Sequence, residues 1–518
     1  MKKCFVACLV VLPLLLQAQA ISVTYSKKFS LKDPGLTSKD GATFLSGDFF
    51  YSREVDYKGM QLAYTAKLDK VKYGVNIYKY DLDMKELKKV SVKGKEKQFG
   101  PFVPKMIMFN HMLVLFYYKA LEDHSIQLSL STFDPETLEE RVTKDLYLIA
   151  EKNVGFLKLG EAMGNNRLLL ARSPDNSRLL VVQSGNTDEV FSCIVNANIE
   201  IERPSVTKIR NSFQKLTIQH CTIDNEKNKY LSYSHNVGNG TKQGLLVQNN
   251  AGKESFLPLN MAKGAMEANE LYLKMSRDNS RMYVYGSYRQ DAYYAGVLLT
   301  IVDAGQLTVA SPQLFPYPQD LKDRLKKMDY GQKEGDGPSM DDTYMSNELE
   351  DGTLVITGYP VHVLSGTNSG MNGQMISYYH PYAGPIINAF LKDGKGSFGV
   401  LYRDQTGSQA SDFIALPYGN HLLCVYNASE KSITSDDPAH IGGVSPEGNL
   451  VLAQADLSGD GIVVSRKKIE NKPGSLSFFT EYTQRISKNK YLIPMGRNRV
   501  NMVRYYTEVE QWATLTIE

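Results

Sequence analysis

The chain has 518 residues, 42% of them apolar and 22% charged, and its 59 Lys and Arg against 56 Asp and Glu leave a net charge of +3. That apolar share excludes an intrinsically disordered chain, and so small a net charge supplies no basic field to gather phosphates, so nucleic acid is not an expected partner.

Read from the N-terminus, Lys2 and Lys3 precede an apolar run from Phe5 to Leu16, followed by Gln17-Ala18-Gln19-Ala20, an Ala-x-Ala cleavage site. This pattern predicts a secretory signal over 1–20, cleaved after Ala20, and a periplasmic or extracellular protein. The run is shorter than the ~20 residues that cross a bilayer as a helix, and no later stretch is long enough, so no transmembrane segment is expected in the mature chain. A rival reading, a lipoprotein box at Phe5-Val6-Ala7-Cys8, is disfavoured because most of the apolar run lies after Cys8. The mature chain keeps Cys193, Cys221 and Cys424, an odd number without a C-x-x-C pair. Buried free thiols are expected, with one bridge left open.

From residue 43 onward two units alternate. One is a polar turn leading into an apolar strand, as in Asn110–Phe116, Ser173–Val182, Asn228–Tyr233, Ser276–Tyr285, Asp351–Thr357, Asn420–Tyr426, Ser445–Leu452 and Asn489–Pro494. The other is a strand, a polar turn and a short return strand, as in Val75–Val90, Leu128–Glu140, Val195–Ile201, Leu245–Lys253, Leu298–Gly305 and Ala389–Lys395. Asp, Asn, Pro and Gly set the turns, and the β-branched, Leu and aromatic residues that follow favour strands. The unbroken apolar run Leu179–Val182 suits a strand covered on both faces. Two hairpins make a four-stranded sheet, and repetition every ~50–70 residues predicts propeller blades. The expectation is one all-β domain over 21–518, a β-propeller of four-stranded antiparallel blades. Units begin near 43, 104, 168, 215, 270, 343, 411 and 478, which gives eight blades, or seven if Ile21–Tyr25 closes the ring by joining the last unit.

Two segments interrupt the repeat. Leu321, Leu325 and Met328 fall at helical spacing, which predicts a short helix near 319–330 followed by a polar loop. Ser365–Gly373, rich in Gly, Asn and Ser, reads as a second long loop leading into Tyr378, Tyr379, His380 and Tyr382. Long loops in compact folds often carry function, and tyrosines offer large contact area at small entropic cost. These four residues are the candidate ligand-binding patch, although most of the 32 tyrosines are expected to pack between blades.

The turn Ser173-Pro-Asp-x-x-x-Leu179 resembles those of periplasmic Tol-type and WD-like propellers, and the stretch Tyr378–Tyr426 is similar to that of uncharacterised secreted bacterial propeller proteins. The resemblance implies a binding or scaffold role in the envelope or outside the cell, with a protein, peptide or glycan as partner.

Catalytic signatures are sparse. Gly-x-Ser-x-Gly does not occur, and no two of the eight histidines stand three or four apart. His220 and Cys221, adjacent on a strand, point to opposite faces and would not share a metal. Asp456–Gly461 partly resembles a calcium loop but has Lys467 where the closing Glu belongs, so a hairpin is expected, as it is for the glycine-rich Gly238–Gly244. The Ser-x-Asp turns at 173 and 276 resemble the Asp-box of sialidase-like propellers, itself a structural device, but the aromatic that closes the box is replaced by Leu180 in the first, with Tyr283 near that place in the second. No catalytic residue, metal or cofactor is assigned. The alternative to a binding module is a carbohydrate-active propeller with its carboxylates near the central channel.

Overall fold

A computed structural model describes residues 21–517, apart from the segments 33–42, 58–72, 93–103, 150–166, 185–188, 209–215, 238–239, 260–265, 291–292, 329–344, 359–360, 370–374, 384–385, 402–405, 408–412, 434–448, 459–460, 471–475, 481–482 and 501–504 and a few isolated positions. The signal-peptide reading therefore lies outside the described residues.

Eight antiparallel sheets follow one another along the chain, spanning 43–92, 105–149, 167–208, 216–258, 266–316, 345–401, 413–470 and 477–517. These are blades 1 to 8 of a β-propeller. The eighth has its second and third strands in Lys490–Val500 and Tyr505–Ile517, and its outermost strand is Ile21–Tyr25 from the other end of the chain, with Ile21 opposite Ile517 and Tyr25 opposite Ala513. The N-terminal strand does close the ring, but it completes the last blade instead of reducing the count to seven. Residues 477–517 on their own lack an outermost strand.

The packing shows why the apolar strands read as they do. In blade 3, Leu179 and Val181 join the core shared with Val114, Phe116 and Leu128 of blade 2. Leu180 and Val182 join Ile218, Leu231 and Leu246 of blade 4 on the opposite face. Alternate residues of one strand thus serve two cores, which is the demand a doubly covered sheet makes. Eight such clusters occur, one for each pair of neighbouring blades, including the closing one in which Trp512 of blade 8 stacks on Phe50 of blade 1 at 4.7 Å.

The turns between first and second strands lie at one end of the ring and are bonded from blade to blade. Asp175 N donates to Asn225 Oδ1, Asn225 N to Asn279 Oδ1, and Glu350 N to Gly419 O. Within each Ser-x-Asp turn the hydroxyl of Ser173 or Ser276 donates to the Asp two residues on and accepts the N–H five residues on, with Asn176 or Asn279 at positive φ. These are hairpin corners. Val237 pairs with Gly240, and Ser458 with Gly461, so the glycine-rich and calcium-like segments are hairpins as well. Cys193 and Cys424 are buried and Cys221 half-buried, all three as free thiols.

The helix Gln319–Met328 lies in the connection from blade 5 to blade 6, anchored by Leu321 against Phe315 and Tyr317. Residues 365–369 are strand and not loop: Val361–Ser369 pairs with Met375–Ala383 as a ribbon inserted between the second and third strands of blade 6.

Candidate functional site

The two ends of the propeller differ. At one end, every turn between first and second or third and fourth strands has two to six residues. At the other end the chain spends 58–72, 93–104, 150–166, 317–344, 359–385 and 429–448 on connections, each of a dozen residues or more. The helix and the ribbon both belong to this long-connection end. The four predicted site residues fall on the ribbon's second strand, where His380 is opposite Leu364, Tyr379 opposite Ser365, Tyr378 opposite Gly366 and Tyr382 opposite His362. At its base, Tyr382 and Ala383 pair with Gly407 and Thr406, which tie the ribbon to the stretch leading into blade 7.

A second constellation, not assembled by sequence reasoning, lies on the channel wall between blades 4 and 5. The innermost strand of blade 4, Leu216–Ile223, has a bulge between Ile218 and His220. In blade 5 the innermost strand is split into Met266–Ala268 and Tyr272–Met275, which leaves Glu270 and Leu271 in a bulge outside the ladder. The two bulges are bolted together. Leu271 N donates to Gln219 Oε1 at 3.3 Å, and Ser232 Oγ accepts His220 N at 3.0 Å while donating to Leu271 O at 2.8 Å. Gly286 makes room beneath, since a Cβ there would lie 2.3 Å from Glu270 O. Bulges re-aim side chains and concentrate beside functional sites.

What they aim is His220 and Glu270. His220 Nε2 lies 3.2 Å from Glu270 Oε1, and the imidazole stacks on Tyr272 with ring centres 4.3 Å apart. Tyr272 OH donates to Glu270 Oε2 at 3.2 Å, so one carboxylate serves both neighbours. Tyr272 in turn stacks on Tyr285, whose phenol is pushed up to about 12 by burial and donates to Ser346 Oγ in blade 6. Cys221, as its strand position demands, turns away from His220 to the blade 3 side, where burial pushes its thiol up to about 12. The arrangement combines a carboxylate, an imidazole and a phenol in a fixed geometry, which suits hydrogen bonding to a polar ligand or a proton transfer. Glu270 stands in a bulge and was not singled out in the sequence. The usable signal was Gly286 inside the otherwise bulky strand Arg281–Gln290, since a glycine in a strand marks close approach of another backbone.

No family model matches the chain, and neither does any curated protein. Among solved structures it is similar to the polysaccharide lyase Uly1 at 13% identity, covering 94% of this chain and 99% of that one with a TM-score of 0.43. It is also similar to the Dos1 propeller, at 10% identity over 95% and 94% of the two chains with a TM-score of 0.42. The β-propeller domain of the Trilobed protease from Pyrococcus furiosus aligns at 11% identity over 87% and 99%, with a TM-score of 0.33. At such identities the likeness is one of fold, and the strand pairing given above establishes that fold as an eight-bladed β-propeller.

Proposed function

We propose that this protein is an exported, non-catalytic binding module that recognises a protein, peptide or glycan through the long-connection end of its ring, with the ribbon 361–383 as the principal contact element. The observation that carries this reading is the asymmetry of the two ends. Turns of two to six residues suffice to build every blade at one end, so the far longer connections at the other are not needed for the fold. Tyr378, Tyr379, His380 and Tyr382 lie on one of these insertions, the paired ribbon. Export agrees with the leader-like sequence 1–20, and the closing strand begins at Ile21, directly after the cleavage motif.

The test is a glycan array and a peptide array probed with mature protein and with a variant carrying Tyr378→Ser, Tyr379→Ser, His380→Ser and Tyr382→Ser. Saturable binding of one ligand class by the native protein, reduced at least tenfold in the variant, is expected. Equal binding by both proteins would remove the ribbon from the recognition surface.

A second reading, a propeller enzyme acting on carbohydrate, is favoured by one observation: the His220, Glu270 and Tyr272 constellation held by paired bulges on the channel wall. On that reading Glu270→Gln abolishes turnover of a polysaccharide substrate while leaving the folded state intact. On the binding reading no turnover is present to lose.

A further inference from the structure

The ribbon leaves one backbone edge open. Val361–Ser369 pairs along all nine of its residues with Met375–Ala383, without a register shift. The third strand, Thr406–Gly407, pairs only with Tyr382 and Ala383, on the far side of the second. Among the described residues the other edge of Val361–Ser369 therefore pairs with no strand, and most of the ribbon is two-stranded. A two-stranded ribbon is marginal in water, and a third strand along the free edge would satisfy the N–H and C=O groups that point away from the existing ladder.

This edge also lacks the guards that the blades carry. Every outermost blade strand of more than five residues contains Lys or Arg, as Lys88 and Lys89 in Glu86–Val92 or Arg466, Lys467 and Lys468 in Gly461–Glu470. Three of these strands, Glu140–Ile149, Ile201–Lys208 and Gly461–Glu470, belong to ladders broken by a register shift. Val361–Ser369 contains no Lys, Arg, Asp, Glu or Pro, and its ladder is regular. Charge, proline and bulges are the means by which proteins keep an edge from pairing, so a long edge without any of them is one that accepts a strand.

The geometry narrows what that strand belongs to. A glycan has no alternating row of N–H and C=O groups to set against the edge. A second copy of the chain would have to bring the five other long connections of its own ring to the same end. One extended polypeptide segment needs only the ~5 Å spacing between neighbouring strands.

We propose that the free edge of Val361–Ser369 takes up an extended segment of a partner protein as a further strand, held by main-chain hydrogen bonds over as many as nine residues, roughly 30 Å. The segment is a strand former, rich in Val, Ile, Thr or aromatic residues and without proline at the bonded positions. This rests on the reading of the ribbon as the contact element and narrows its partner to polypeptide.

The test is selection of a phage-displayed library of twelve-residue peptides on the mature protein. The tightest binders are then synthesised plain and in two forms N-methylated at alternate residues, one form for each edge of the strand. Strand-forming peptides with dissociation constants of about 100 µM or tighter are expected, weakened at least tenfold by methylation along one edge and less than threefold along the other, because only one edge of an added strand is bonded. A copy carrying a photo-crosslinker is expected to label residues 361–369. Binding that does not depend on which edge is methylated, or label placed outside 361–369, would overturn the inference. Crosslinks between two copies of the protein within 361–369 would overturn it in favour of self-pairing. Failure to select any peptide, alongside saturable binding on the glycan array that the serine variant of the ribbon loses, would overturn it while leaving the ribbon as the contact element.

Discussion

Lys229 provides the sharpest quantitative test of how these blades are held together. It begins the second strand of blade 4, is completely buried, and sends its ammonium into blade 3. There the ladder between Glu189–Asn196 and Ile201–Lys208 is irregular: Ser192 pairs with Ser205 and Ile194 with Glu202, leaving Arg203 and Pro204 opposite Cys193. Arg203 has φ +51, and Pro204 has no N–H to give. The carbonyl freed by this bulge is taken by Lys229 Nζ at 2.8 Å, which also donates to Ser192 Oγ at 3.1 Å, Ser205 Oγ at 3.3 Å and Ser192 O at 3.4 Å. Every one of these acceptors is neutral, so the charge is buried without a counter-ion in contact. Burial brings its pKa down to about 8, with Cys193 and the more distant Glu254 opposing and Arg203 reinforcing the shift.

The sign follows from proton counting. Below pH 8 native and unfolded chains both hold the proton, and the native state carries the full cost of the buried charge, about 3 kcal/mol at ~1.4 kcal/mol per pH unit. Between pH 8 and 10.5 the native state has released a proton that the unfolded chain retains, so stability rises with pH. Replacing Lys229 by Met removes that cost but deprives the Arg203 carbonyl and the two serines of a donor, a loss of about 1–3 kcal/mol. At pH 7 the variant is therefore within about 2 kcal/mol of the native protein. Between pH 7 and 10 the native protein gains roughly 2–3 kcal/mol over the variant. Cys193, pushed up to about 12 by burial, stays neutral across this window. Equilibrium guanidinium unfolding of both proteins at pH 7, 8, 9 and 10, followed by the fluorescence of Trp512, measures the difference. A difference that stays constant within about 1 kcal/mol over this range would refute the account of a charged lysine plugging the bulge.

Other consequences are measurable in the same way. His111, exposed at φ +61 in the two-residue turn after Asn110, carries a side chain where glycine is preferred; His111→Gly is expected to raise unfolding stability by about 0.5–1 kcal/mol, and His111→Val to lower it. Gly286→Ala forces a Cβ against the Glu270 carbonyl and is expected to cost about 2–4 kcal/mol and to displace Glu270 from His220, seen as a changed His220 ring resonance by NMR. Deleting 21–25 uncovers the edge of Tyr505–Ile517; a lower melting temperature and concentration-dependent dimers in sedimentation are expected, because an unpaired edge invites another strand.

The fold was legible because its rules are local. A Ser-x-Asp or Asn turn followed by four or five apolar residues specifies a hairpin wherever it occurs, and the doubly apolar run Leu179–Val182 announced that its sheet would be covered on both faces. Blade count was harder, since the strand that completes blade 8 lies nearly 500 residues from its partner and sequence spacing carries no record of that pairing. Ser365–Gly373 reads as a loop because Gly and Asn, which make up five of its nine residues, are poor strand formers; over 365–369, pairing with Met375–Ala383 supplies what propensity does not.

The channel-wall site was illegible for a different reason. Neither His220 nor Glu270 has a neighbour in sequence that explains it, and their meeting depends on two ladder irregularities in different blades that must occur at the same height. A regular pleat in either strand would turn its side chain to the other face. The glycine and proline that permit such irregularities are therefore more informative than the polar residues they serve. Gly286 beneath Glu270 and Pro204 beside the carbonyl taken by Lys229 are two positions where a strand of this sequence contains a residue unsuited to a strand. At both, a titratable group is held by the neighbouring blade, so these two departures from the regular ladder bring together residues that the repeat itself would have kept apart.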